Sequence, residues 1–207
     1  MHSQSKPRIG ILGGTFNPIH IGHLILAQTA LEKCDLNKVL FVPCGIPPHK
    51  DTSGLAAGEH RLAMVQAAVE GDLRFEPLDI EIRRRGVSYA IDTVAELRKI
   101  YPDAELHFIV GTDTLTELHQ WKDIYTLLSL CRFVAFTRPG HDVNSLDAAA
   151  LRLDRSWAER LLRSVVPGRQ IDVSSSDIRY RIAEGMSIRY LVPREVEMYI
   201  AEHRLYV

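Results

Sequence analysis

Residues 10–23 read G-I-L-G-G-T-F-N-P-I-H-I-G-H, and the fold turns on them. An apolar run over 9–12 stops at Gly13-Gly14, a turn with Pro18 follows, and His20 and His23 stand three apart where a helix-forming run begins. Glycine lets the backbone come close to a bulky anion, and a helix start presents unpaired N–H groups with a partial positive charge. A glycine turn between strand and helix is therefore a phosphate cradle. Two imidazoles on the same side of that helix start point to chemistry at the phosphate rather than storage of it. The spacing fits neither the G-x-G-x-x-G of dinucleotide-binding oxidoreductases nor the G-x-x-x-x-G-K-[ST] P-loop, so hydride transfer and P-loop chemistry lose support. A metal site needs a third ligand of suitable kind and spacing, and the sequence offers none.

Outward from this stretch, apolar runs alternate with helical patterns, the signature of a parallel sheet wrapped by helices. Strands are expected at 8–12, 39–43, 74–82, 105–110, 132–137 and 170–173. Several are continuous and apolar, such as Val39-Leu40-Phe41-Val42 and Phe133-Val134-Ala135-Phe136, as suits strands covered on both faces. The spacing predicts helices over 22–33, with Leu24, Ala27 and Leu31 on the apolar stripe, over 58–70, and over 91–100, the last capped by Ser88 or Asp92 and stopped by Pro102. Short helices are expected at 115–121 and 124–131, an amphipathic one without chemistry at 146–165, and a final pair at 176–184 and 194–203. Gly45, Pro47, Pro48 and Gly54 interrupt the pattern before the second helix. No repeat, low-complexity segment or linker divides the 207 residues, a length that suits one α/β domain.

In such a sheet, ligands bind at the carboxyl ends of the strands. Four loops should gather on that rim: the Gly13 turn, Gly111-Thr112-Asp113, Thr137-Arg138-Pro139-Gly140 and Ser174-Ser175-Ser176. The last belongs to Val173-Ser174-Ser175-Ser176-Asp177-Ile178-Arg179, where hydroxyls at a helix start can cap it or bind phosphate and an arginine adds charge on the first turn.

Formal net charge is −1 from 25 basic and 26 acidic residues, which argues against a nucleic-acid protein held by bulk charge. The 9 histidines are scattered rather than arranged as a metal tract. Cys34, Cys44 and Cys131 are odd in number and include no C-x-x-C pair, so reduced thiols are expected. Residues 1–6 are polar, and no apolar run approaches the ~20 residues a membrane span needs, so a cytoplasmic protein is expected.

The G-G-T-F-N-P-I-H-I-G-H run at 13–23 resembles the T/H-x-G-H motif of the nucleotidyltransferase superfamily, and 173–179 resembles its second signature, about 150 residues later and in the right order. Ile46-Pro47-Pro48-His49-Lys50, the G-V-S-Y-A-I-D-T run at 86–93, Trp121-Lys122, Thr137-Arg138-Pro139-Gly140 and Tyr190-Leu191-Val192-Pro193 look like the bacterial nicotinate-nucleotide adenylyltransferase family over roughly 8–140 and 169–205. The resemblance implies a Rossmann-like doubly wound parallel sheet in a single domain, 1–207, with a C-terminal helical extension, 168–207, that carries the second phosphate-binding signature. It implies transfer of the adenylyl group of ATP to nicotinate mononucleotide, yielding nicotinate adenine dinucleotide and pyrophosphate, in NAD biosynthesis.

The resemblance also assigns roles. His20, His23 and Arg179 would be catalytic. ATP would be held by Gly13, Gly14, Thr15, Phe16, His20, His23, Gly111, Asp113, Arg138, Ser175, Ser176, Ile178 and Arg179. The acceptor would meet Lys50, Ser88, Tyr89, Ala90, Thr93 and Trp121, whose indole is placed to stack on the pyridine ring. Mg²⁺ would be carried on the ATP phosphates, with no metal site in the protein itself. Implied partners are ATP and nicotinate mononucleotide, without nucleic acid or membrane; a homo-oligomer is left open. Two positions depart from the family pattern: Asn17, where Asp is also common, and Ala90, where Thr is usual, so only backbone contact survives at 90. The alternatives are a nicotinamide mononucleotide or dual-specificity enzyme, another small-molecule adenylyl- or cytidylyltransferase on this scaffold, and a nucleotide sensor that does not turn over.

Overall fold

The computed structural model describes residues 6–48, 54–137 and 146–207, so Lys50 and Arg138 lie outside the described residues. Strands β1 (Arg8–Gly14), β2 (Lys38–Pro43), β3 (Phe75–Pro77), β4 (Glu105–Gly111), β5 (Arg132–Phe136) and β6 (Val165–Val166) form one parallel sheet in the order β3-β2-β1-β4-β5-β6. Helices α1 (Ile21–Lys33), α2 (Gly58–Val69), α3 (Ile80–Arg84), α4 (Ala90–Ile100), α5 (Thr112–Leu115), α6 (Ile124–Leu130), α7 (Arg155–Arg163), α8 (Ser175–Ala183) and α9 (Arg194–Glu202) surround it, with a 3₁₀ turn at Leu118–Gln120.

Side chains alternate across each strand, and both faces are buried. Ile9, Ile11, Leu40, Val42, Leu106 and Phe108 pack with residues of α4, α6 and α7, while Val39, Phe41, Ile109 and Phe136 pack with residues of α1, α2, α8 and α9. Complete burial of one such side chain contributes roughly 1.5–3 kcal/mol, so two dry faces account for much of the sheet's stability. At Gly10 a methyl group would come within 2.9 Å of Ile109 and Leu36, so a side chain there would push α1's connection off the sheet. Strand order reverses between β1 and β4, which opens a crevice at their carboxyl ends.

Four expected elements change. The run at 74–82 is a strand only over Phe75–Pro77; the Leu78 N–H still donates to the Phe41 carbonyl at 2.8 Å, and the chain then re-forms as α3, which buries Ile80 in the core. The sixth strand is Val165–Val166, paired to Ala135 and Phe136, rather than 170–173. The Gly168 N–H goes to Thr137 Oγ1 at 2.9 Å rather than to its carbonyl, and the chain runs on without regular structure to Ser174. Instead of one amphipathic helix at 146–165, turns with buried Leu151 lead into α7. The 115–121 helix is likewise split into α5 and the 3₁₀ turn, which lets Leu115 and Leu118 both reach the core. Neither Ser88 nor Asp92 caps α4: Tyr89 is its N-cap and offers no side-chain cap.

Candidate active site

β1 delivers the chain to the rim at Gly14. Gly13 is exposed, and a methyl there would touch Phe108 only at an ordinary 3.7 Å, so packing does not demand glycine. What glycine leaves is open backbone, as an anion requires. Phe16 follows with φ +47°, a conformation that costs a bulky residue about 1–3 kcal/mol and gathers at ligand-binding turns. Burial offsets the cost: Phe16 is 1 % exposed, with its ring 5.0 Å from His23 and 6.0 Å from Phe41.

His20 is the N-cap of α1, and its carbonyl accepts from the His23 N–H at 3.0 Å. Its own N–H donates to His23 Nδ1 at 3.3 Å, so the His23 proton sits on Nε2. The two rings stack at 3.7 Å and 28°. His20 is 2 % exposed and His23 half-buried. Gly22 makes room for this pair, since a methyl there would lie 3.0 Å from His20 Nδ1.

The second motif comes directly onto this turn. Ser174 caps α8, accepting from the Asp177 N–H at 3.1 Å. Ser175 Oγ donates to the Pro18 carbonyl at 2.8 Å, and Arg179 Nη1 donates to the Asn17 carbonyl at 2.8 Å, with Nη2 3.4 Å from Ser176 Oγ. Ile178 is fully buried in the same core cluster as Phe16 and Ile19, which anchors the helix start. Beside it, a cleft of about 30 Å³ is lined by Gly22, Leu26, Thr137, Gly168, Ile171 and Val173.

Asn17 joins further segments to the turn. Its Nδ2 donates to the Gly54 carbonyl at 3.0 Å, and its Oδ1 accepts from the Ala56 N–H at 3.0 Å and from the Tyr206 hydroxyl at 2.8 Å. Burial pushes the Tyr206 phenol up, which keeps it a donor. A carboxylate at position 17 could not make the bond to Gly54, so the amide suits this arrangement.

Across the crevice, Gly111 ends β4 and leads into α5, whose first turn carries half-buried Asp113. Trp121 is half-buried, its indole edge-on to Phe108 at 5.8 Å and Phe133 at 6.2 Å. Since Phe108 also lies under Gly13, the indole sits one ring away from the glycine turn. Lys122 Nζ lies 4.4 Å over the Tyr89 ring and pairs with Asp92 at 3.2 Å, which docks the Trp121 segment on the start of α4, near Ala90. Ser88 and Thr93 face inward. Ser88 Oγ accepts from the Gly45 N–H at 2.8 Å, and Thr93 Oγ1 donates to Glu81 at 2.5 Å. Burial pushes the Glu81 carboxyl up, against the opposing pull of these hydroxyls and of Arg84 and Arg61.

All three cysteines are free, and burial pushes Cys131 up to about 12, an unreactive thiol. Among the described residues no helix is long and apolar enough to cross a membrane, and no group of three or more His, Cys, Asp or Glu could hold a metal ion.

The sequence pattern of the cytidylyltransferase-like family matches residues 11–181. A relative from Halalkalibacterium halodurans, named "Probable nicotinate-nucleotide adenylyltransferase", is 46% identical over 200 residues, covering 96% of this chain and 91% of its own. One of the same name from Moorella thermoacetica is 44% identical over 208 residues, covering 100% and 95%. The chain belongs to the nicotinate-nucleotide adenylyltransferase family. The fold agrees: the Plasmodium falciparum nicotinic acid mononucleotide adenylyltransferase, solved complexed with NaAD, superposes with a TM-score of 0.75 over 97% of both chains at 18% identity.

In this adenylyltransferase the motifs include the inward-facing Ser88 and Thr93 but miss two buried charged residues. Arg61, 1 % exposed, and Glu81, 8 % exposed, are the chief omissions. A signal existed for Arg61: with Met64, Val65 and Val69 it falls on the buried stripe of α2 at helical spacing, where a charge is out of place.

Proposed function

We propose that this chain transfers the adenylyl group of ATP to nicotinate mononucleotide, yielding nicotinate adenine dinucleotide and pyrophosphate. The observation that carries the reading is the meeting of the two motifs, with Ser175 and Arg179 bonded to the carbonyls of Pro18 and Asn17 beside the stacked histidines. The names of the bacterial relatives support it, as does the NaAD bound to the Plasmodium protein.

The mononucleotide phosphate has its second pKa near ~6 and is ionised at neutral pH, so its attack on the α-phosphorus needs no general base. What the protein must supply is alignment and positive potential where charge builds. The amides of residues 13–16, His20, His23, Ser175 and Arg179 are proposed to hold the triphosphate so that pyrophosphate leaves opposite the attacking oxygen. Asp113 would accept from a ribose hydroxyl and Trp121 would stack on the pyridine ring, with Tyr89 and Ala90 presenting amides to the ring carboxylate. Mg²⁺ is a hard cation that prefers oxygen ligands to imidazole, so the ion is proposed to travel as a companion of the phosphate oxygens, whose charge it would offset.

Incubation of the purified chain with ATP, Mg²⁺ and a panel of acceptors tests the reading. The expected result is pyrophosphate release that depends on nicotinate mononucleotide. Release driven as well by an unrelated acceptor, or by none, would contradict it.

A further inference from the structure

Arg61 belongs to neither motif, yet its buried guanidinium touches three segments of the rim. Nε donates to the Ala56 carbonyl at 2.9 Å, Nη1 to the Thr15 carbonyl at 2.8 Å, and Nη2 to the Gly45 carbonyl at 2.9 Å, with Cys44 Sγ 3.8 Å from Nη1. Its hydrogen-bond partners are thus three carbonyls and a thiol. Packing alone would be served at less cost by an apolar side chain.

We propose that Arg61 is a positioning residue that sets both halves of the site through peptide planes. In a trans peptide the C=O and the following N–H point in opposite directions. The Thr15 carbonyl faces Arg61, so the Phe16 N–H on the same plane faces away from the buried guanidinium, on the side of the turn proposed to take the triphosphate. The Gly45 carbonyl faces Arg61 too, and the Ile46 N–H on that plane donates to the Gly86 carbonyl at 3.2 Å. The Ser88 N–H returns a bond to the Ile46 carbonyl at 2.9 Å, forming a parallel bridge between Ile46 and Val87. That strip runs into Tyr89 and the start of α4, the proposed acceptor side. The third bond fixes Ala56, whose own N–H holds Asn17 Oδ1. One planar fork therefore refers the cradle, the acceptor strip and Asn17 to a common origin. A lysine has the charge but only one nitrogen, and cannot serve three diverging carbonyls. Glu81, held by the hydroxyls of Thr93 and Ser88, is tied to the acceptor strip beside it.

The inference rests on the proposed adenylyl transfer, so the parent chain is assayed first; a parent that does not transfer overturns that function rather than this role. Arg61→Lys is then made in the full chain, its fold checked by circular dichroism and thermal melting, and kcat and both KM values measured. A displacement near 1 Å can cost about 100-fold, so kcat should fall about 10–100-fold in the folded variant, with the KM values for ATP and for the mononucleotide both raised. In Arg61→Ala, millimolar guanidinium should restore part of the turnover where ammonium does not. A folded Arg61→Lys variant that loses thermal stability but keeps kcat and both KM values within about twofold of the parent overturns the proposal. If neither variant folds, Ser88→Ala decides, because it removes the Gly45 N–H bond to the acceptor side without touching the arginine or the Ile46–Val87 bridge. A raised KM for ATP as well as the mononucleotide supports the linkage; a change confined to the mononucleotide overturns it.

Discussion

On the half of the site proposed to take the triphosphate, side chains donate to main-chain carbonyls; on the half proposed to take the acceptor, ring edges and a buried carboxyl hold the parts together. Ser175 and Arg179 reach back 157 and 162 residues to Pro18 and Asn17. Trp121 is located instead by Phe108 and Phe133, and Ser88 and Thr93 by Gly45 and Glu81. The first construction fixes backbone direction, which suits a charged ligand that must be aligned. The second shapes a pocket by packing, which suits discrimination of a ring. Single substitutions should therefore act on turnover in the first half and on acceptor affinity or stability in the second.

The largest expected effect tests the first half. His20→Ala or His23→Ala should lower kcat by ~10²–10³ with the fold intact, the usual worth of an electrostatic contact to the transition state. Near-parental turnover of both variants would remove the histidines from the chemistry. Next, Trp121→Ala should raise KM for the mononucleotide by roughly 5–150-fold, since stacking on an aromatic ring contributes about 1–3 kcal/mol per base. The KM for ATP should hardly move, and equal changes in both would dissolve the distinction between the halves.

Glu81 gives a smaller, pH-dependent effect. Burial raises its carboxyl pKa in the folded state, so folding favours the protonated form. That contribution is present below the ordinary glutamate range, about 4.3, and is lost as pH rises through the folded pKa. Glu81→Gln still accepts from Thr93 and carries no charge to bury. Its melting temperature should gain on the parent's as pH rises from about 4.5 toward neutrality, by about 2–4 °C for each kcal/mol of difference. A gap independent of pH would contradict the account. Smallest is Tyr206→Phe, which removes one hydrogen bond to Asn17 worth about 0.5–1.5 kcal/mol. A modest fall in melting temperature with little change in kcat is expected, and a loss of turnover as large as that of the histidine variants would recast Tyr206 as part of the chemistry.

Legibility in the sequence followed the same divide. The glycine turn, α1 and the capped start of α8 depend on neighbours within a few residues, so residues 10–23 and 173–179 could be read directly. The parallel sheet was readable from continuous apolar runs, but its edges were not, because the two edge strands, Phe75–Pro77 and Val165–Val166, turn away from their neighbours sooner than hydrophobicity alone suggests. Arg61, Glu81 and Tyr206 act through partners far away in the chain, which leaves no local pattern; only the misplaced charge on the α2 stripe hinted at one of them. Ser88 is expected from the sequence on the acceptor side; in the structure its hydroxyl turns to Gly45, a choice that only tertiary structure reveals.

The most direct measurement follows ATP labelled at the α-phosphate, in the presence of Mg²⁺, with nicotinate mononucleotide or nicotinamide mononucleotide as acceptor. The account predicts that label passes into nicotinate adenine dinucleotide while unlabelled pyrophosphate is released, with the higher kcat/KM for the nicotinate acceptor. Label that stays in ATP with both acceptors, or appears in pyrophosphate, would contradict it.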